Sequence, residues 1–280
     1  MRKKNQLALA IIITICACSA CNTERYIYTP SIPNNPYFRE KGESKLAAYY
    51  SSGGDDNPRT GHKNNGFDLQ GAYALSKNWA ITTSFFSRQE SDIYTSSHYN
   101  FFDSSYINYK RHITDFGGGY FVPLNRRQNA FFAIYGGIGF GEFSINDKGI
   151  DRARNSYSRF HNSDITKWFI QPSFNFFAGN YFRMALIGKF SFVHYGNIST
   201  SYLNEELQYY WLDRIKSKTI SFFEPTLNIQ FGIPPIDWVK IDGGFTFSSD
   251  PFEEPSRAEA RNFNASIGLS FDFSKIKKNK

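Results

Sequence analysis

From Ser44 onward, apolar and polar side chains alternate at every second position in about ten stretches, near 44–52, 66–76, 79–89, 107–122, 129–145, 165–178, 183–196, 217–231, 238–249 and 261–273. A period of two is the signature of a strand with unlike faces. The clearest cases set Trp168, Ile170, Pro172, Phe174 and Phe176 against Lys167, Gln171, Ser173 and Asn175, and Phe223, Pro225, Leu227, Ile229 and Phe231 against Glu224, Thr226, Asn228 and Gln230. The connections alternate as well. Short links at Ser76 to Asn78, Pro123 to Gln128, Gly179 to Phe182 and Gly232 to Asp237 are interleaved with long ones near 53–65, 90–106, 146–164, 197–216 and 250–260.

Alternation alone also suits a soluble sandwich with its polar faces in water. The polar faces here carry Gly, Ser, Asn and Gln with scattered charges, whereas a solvated sheet face is rich in Lys, Glu and Thr. The apolar faces hold almost no Lys or Arg, which would each cost about 2–4 kcal/mol at a bilayer midplane. The predicted fold is therefore all-β: a closed antiparallel up-and-down transmembrane β-barrel of about ten strands, with short periplasmic turns and long extracellular loops. An even strand number places both ends of the barrel, and by extension both termini, on the periplasmic side.

The final stretch puts Phe263, Ala265, Ile267, Leu269, Phe271 and Phe273 on one face and Asn262, Asn264, Ser266, Gly268, Ser270 and Asp272 on the other. Ser266, Gly268, Phe271 and Phe273 resemble the C-terminal signal by which bacterial outer-membrane barrels are recognised for insertion, which implies the barrel-assembly machinery as a partner. A tail, Ser274 to Lys280, departs from the many barrels that end on the last aromatic. With the alternation and loop asymmetry, residues 44–273 resemble small outer-membrane barrels of the OmpA/OmpX/OmpW-like kind.

At the other end, Arg2, Lys3 and Lys4 precede an apolar run from Leu7 to Ala17. That run is too short to span a bilayer, which takes about 20 residues, and reads as a secretory signal. Cleavage before Cys21 resembles lipoprotein processing with Cys21 diacylated; ordinary cleavage after Ala20 is the alternative. The expected organisation is a signal peptide over 1–20, a lipid-anchored tether over 21–43 containing Pro30, Pro33 and Pro36, the barrel over 44–273 and a basic periplasmic tail over 274–280.

Composition changes the picture in two places. Cys16, Cys18 and Cys21 all lie in or at the end of the leader, so the mature chain has no thiol pair and no cysteine metal site. The formal charge of +7 resides in Arg2, Lys3, Lys4 and the tail lysines Lys275, Lys277, Lys278 and Lys280, leaving the rest balanced. A nucleic-acid partner, which needs a basic patch on a folded face, is not expected.

Candidate chemistry lies in the lumen and in the loops. Asp115, Lys189 and Glu224 face inward near mid-height, with Lys189 and Glu224 level on neighbouring strands; opposite charges there form a network that holds the lumen shut, or line a narrow pore. Tyr135 shares a face with Gly137, Gly139 and Gly141, a glycine column that leaves room for long side chains. Outer-membrane proteases and lipid-modifying enzymes resemble this architecture, but they need an imidazole beside a carboxylate or serine. The candidates are His62 after Asp55 and Asp56, His98 before Asp103, and His161 before Asp164; none has the spacing of those families. Tyr202, Tyr209, Tyr210 and Trp211 could stack on a ligand or sit at lipid head groups. The expected protein is a non-enzymatic barrel without metal or cofactor, in contact with outer-membrane lipid and offering loops to an extracellular ligand; a narrow pore is the alternative, and a hydrolase a third.

Overall fold

In the computed structural model, the described residues are 25–54, 61–98, 101–150, 154–179, 181–216, 218–234, 236–249 and 259–274. Ten strands close into a barrel: β2 (Ser44–Gly54), β3 (Gly61–Ala74), β4 (Trp79–His98), β5 (Phe101–Pro123), β6 (Ala130–Ile150), β7 (Ser156–Ala178), β8 (Phe182–Thr200), β9 (Thr219–Ile233), β10 (Ile236–Phe247) and β12 (Phe263–Phe271). Each pairs antiparallel with its sequence neighbour, and β12 returns to β2 through Ala265 opposite Ser52 and Phe271 opposite Leu46. No sheet edge is left in the barrel, so the ladder is satisfied within the wall.

The wall is inside-out relative to a soluble protein. Trp79, Ile81, Phe116, Phe140, Trp168, Phe174, Leu186, Phe231, Phe245 and Ile267 are exposed outward, while Asp68, Arg88, Glu90, Arg111, Lys167, Glu224 and Asp242 are buried inside. No helix among the described residues is long and apolar enough to cross a membrane; the strands supply the apolar surface, and about 9–11 residues of strand suffice to cross.

Strand existence matches the alternation throughout, but β4 to β7 are 20, 23, 21 and 23 residues long. The stretches 90–106 and 146–164, expected as long loops, are thus largely strand. Above Phe140 the outward residues of β6 turn polar at Glu142, Ser144, Asn146 and Lys148, while the inward face carries Phe143 and Ile145 before Asp147. The apolar face thus changes sides, and the outward-apolar pattern that marks the strands lower down breaks there. The connection from β8 to β9 carries a short helix, α1 (Asn204–Tyr209).

The largest departure lies before the barrel. Every residue from Arg25 to Phe38 is buried, inside the lumen. Within it β1 (Tyr26–Tyr28) pairs parallel with β11 (Glu259–Ala260), the strand that leads into β12. The segment expected as a free tether is a thread through the barrel.

Candidate functional site

Pro30, Pro33 and Pro36 recur every third residue, the repeat of the polyproline helix, which has three residues per turn and no internal hydrogen bonds. Such a chain offers its carbonyls sideways, and proline withdraws donors that a lumen would otherwise have to satisfy. The wall answers with donors. Arg111 reaches the carbonyls of Tyr26 and Ile27, and Tyr195 Oη donates to the Ile27 carbonyl at 2.9 Å. The Arg261 N–H donates to Tyr28 at 2.9 Å, Gln70 to Ile32 at 3.0 Å, Gln171 to Asn34 at 3.2 Å and the Lys45 ammonium to Asn35 at 3.1 Å.

Thread side chains are held in the same way. Arg25 pairs with Asp147 at 2.6 Å, and its guanidinium lies 3.8 Å over the Tyr210 ring. Tyr28 donates to Glu224 at 2.7 Å and stacks on Phe222 at 4.1 Å; Thr29 donates to Glu90 at 2.6 Å. Lower down, Asn35 donates to Asn175 at 2.6 Å and Tyr37 to Asn228 at 2.7 Å. Tyr37 takes a left-handed backbone, φ 58°, as the chain turns out of the lumen toward β2. A non-glycine residue persists in this region only where its surroundings fix it, and the Tyr37 ring is fixed edge-on against Phe177 at 6.0 Å.

These contacts order the thread along the barrel axis. Arg25 meets Asp147, near the end of β6 that leads to residues 151–155, whereas Phe38 packs on Phe121, beside the short turn after β5. Arg25 therefore lies at the long-loop end, and the chain runs down to the short-turn end where β2 begins. Phe271, the last residue of β12, also lies at the short-turn end, opposite Leu46. Among the described residues, Arg25 and Phe271 thus lie at opposite ends of the barrel, because the thread adds one crossing to the ten strands.

The singled-out lumen charges fall on the inner wall. Lys189 and Glu224 are register partners, yet their polar atoms turn to different groups: Glu224 accepts from Tyr28 and, at 2.5 Å, from Ser191, while Lys189 meets Ser31 at 3.4 Å. Asp115 pairs with Lys167 at 2.7 Å. The glycine column makes room as expected, although for neighbours on adjacent strands: a Cβ on Gly137 would come within 2.8 Å of the Phe169 ring, and one on Gly139 would strike Asp115.

Sequence reasoning missed the upper cluster. Arg261 forks onto Asp92 at 2.7 Å, approaches Glu90 at 3.6 Å and lies 3.7 Å over the Tyr26 ring; Glu90 also pairs with Arg111. The unread signal was the three-residue proline spacing beside a surplus of inward charges on β4 and β5.

Of the catalytic candidates, His161 is buried, with its ring 6.4 Å from Phe143, and Asp164 faces the opposite side of β7, where it accepts from Asn197 at 2.6 Å. Asp55, Asp56, Cys21 with the leader, and Lys275 to Lys280 lie outside the described residues. Ser266 faces inward and donates to the Gly244 carbonyl at 3.3 Å, Gly268 abuts Ala48, and Phe271 and Phe273 stack at 6.5 Å, Phe273 lying just beyond β12. In the connection after β8, Tyr202 is buried and donates to Asp147 at 3.0 Å, Tyr210 covers Arg25, Tyr209 is exposed, and Trp211 lies under the Arg214 guanidinium. Two of the four loop aromatics thus serve the thread.

No protein-family model matches the chain, and no curated protein matches its sequence. Solved structures that resemble it include the translocator domain of the autotransporter NalP from Neisseria meningitidis (8% identity, 84% of this chain and 90% of that one, TM-score 0.44). The outer membrane protease OmpT from Escherichia coli matches at 10% identity over 87% and 99% of the two chains, TM-score 0.44. Ail, the attachment invasion locus protein of Yersinia pestis, matches at 12% identity over 83% and 99%, TM-score 0.31.

Proposed function

We propose that the protein is a bacterial outer-membrane barrel closed by its own N-terminal segment, with a structural or surface-interaction role exerted through the long-loop face, and that it is neither a channel nor an enzyme. One observation carries this: the thread fills the lumen from Arg25 to Phe38, and its carbonyls and side chains are taken up by groups of the wall. Beside it, the cavity between Ile32, Asn34, Thr82, Asp115, Gln171 and Lys189 has a volume of about 10 Å³, room for about one water. The outward apolar belt supports membrane placement, and the resemblance of Ser266, Gly268, Phe271 and Phe273 to an insertion signal supports the outer membrane. The separation of His161 from Asp164 speaks against hydrolase chemistry at that histidine.

A second reading has one observation in its favour: the thread is held only by non-covalent contacts, so its withdrawal would leave a polar, charged lumen suited to small solutes. Conductance in planar bilayers separates the two. The intact protein should show no stable open level, and a variant lacking residues 25–38 should conduct. A steady open level in the intact protein would establish the pore instead.

A further inference from the structure

We propose that the barrel carries its own N-terminal chain through the lumen, so that the mature chain emerges at Arg25 on the long-loop face, opposite the end of β12. This rests on the outer-membrane reading only for the identity of that face, which is then the cell surface. The geometry itself comes from the thread. Arg25 is fixed at the long-loop end by Asp147 and Tyr210, and Phe38 at the short-turn end by Phe121. The intervening residues at polyproline rise span about 40 Å. Cys21 precedes Arg25 by four residues, and four extended residues reach at most about 14 Å. No path of that length returns residue 21 to the short-turn end while the thread is seated.

A lipid on Cys21, the expectation of the leader, would therefore be barred from the leaflet at the short-turn side. The wall shows where acyl chains would enter instead. On β6 the polar residues Glu142, Ser144, Asn146 and Lys148 separate outward Phe140 from Ile150 at the strand end, but on β10 and β12 outward apolar residues continue to the mouth through Phe245, Phe247 and Phe263. The thread leaves on this low side, paired through Tyr26 and Tyr28 with Glu259 and Ala260. The partner we assign to the N-terminal end is the leaflet that faces the long loops.

The test is cysteine labelling of the full-length protein expressed in the outer membrane of a Gram-negative host. A Thr23→Cys variant and a Lys278→Cys variant are exposed to a membrane-impermeant maleimide on intact cells, after permeabilisation, and after boiling in SDS, with the wild type alongside so that labelling at Cys21 is subtracted. Heat-shifted gel mobility confirms that each variant is folded. Thr23→Cys should react fully on intact cells and Lys278→Cys only after permeabilisation. Reaction of both variants under the same condition, or of Thr23→Cys only after boiling, overturns the threading. If Lys278→Cys alone reacts on intact cells, the termini are on opposite sides as the thread requires, and the outer-membrane orientation is what fails.

Discussion

Glu224 shows how one buried carboxylate is claimed by the thread. It accepts from Tyr28 and Ser191 although Lys189 is its register partner, so the Tyr28 contact should carry the stronger coupling. Hydrogen bonds to charged groups contribute about 1.5–3 kcal/mol, and a double-mutant cycle of Tyr28→Phe with Glu224→Gln, read by unfolding in detergent, should return a coupling of about that size. A coupling near zero would place the Tyr28 ring elsewhere. Gly139 offers a separate check at this scale. A Cβ there would strike Asp115, whose partner Lys167 lies on the next strand, so Gly139→Ala should destabilise by about 1–3 kcal/mol, as overpacking does. An unfolding midpoint equal to that of the wild type would show that the ion pair has room to shift.

At the scale of elements, the thread depends on proline for its shape. Pro33 lies between Ile32 and Asn34, whose carbonyls are both engaged by the wall; replacing it with Ala keeps those bonds but enlarges the freedom of the unfolded segment, a loss of about 0.4–1 kcal/mol. Pro33→Ala measured by chemical unfolding should fall in that interval, and a gain in stability would mean that the ring is strained in place. The same proline spacing explains what was hard to read in the chain. Prolines exclude a helix or a central strand, which is how residues 21–43 suggested a tether, but they say nothing of where an extended segment lies. Ten strands were legible because lipid outside and polar groups inside force opposite faces. Where β4 to β7 rise past Phe85, Phe116, Phe140 and Trp168, the outward face turns largely polar while Ile107, Tyr109, Phe143 and Ile145 face the lumen, so the outward-apolar pattern fades. The candidate site was legible only as isolated inward charges, Asp115, Lys189 and Glu224; Tyr28 and Ser31, the partners of Glu224 and Lys189, belong to a segment that alternation does not describe.

For the whole molecule, closure of β12 onto β2 satisfies every ladder within the wall, so the folded barrel should resist SDS at room temperature and unfold on boiling. Heated and unheated samples should therefore migrate differently on a gel. Identical migration, with solubility in the absence of detergent, would count against a membrane barrel. The thread adds a further condition, which concerns the order of events. One end of the segment is continuous with β2, and the other, Arg25, is held at the opposite mouth; the ring of strands surrounds it as a bead surrounds a string. If residue 21 receives acyl chains before the barrel closes, that end can no longer be drawn through a passage lined by Glu90, Arg111, Lys167 and Glu224. The β12–β2 seam must then shut around a strand of chain already in place, and the finished molecule is mechanically interlocked: neither the string nor the bead can leave the other without the seam reopening.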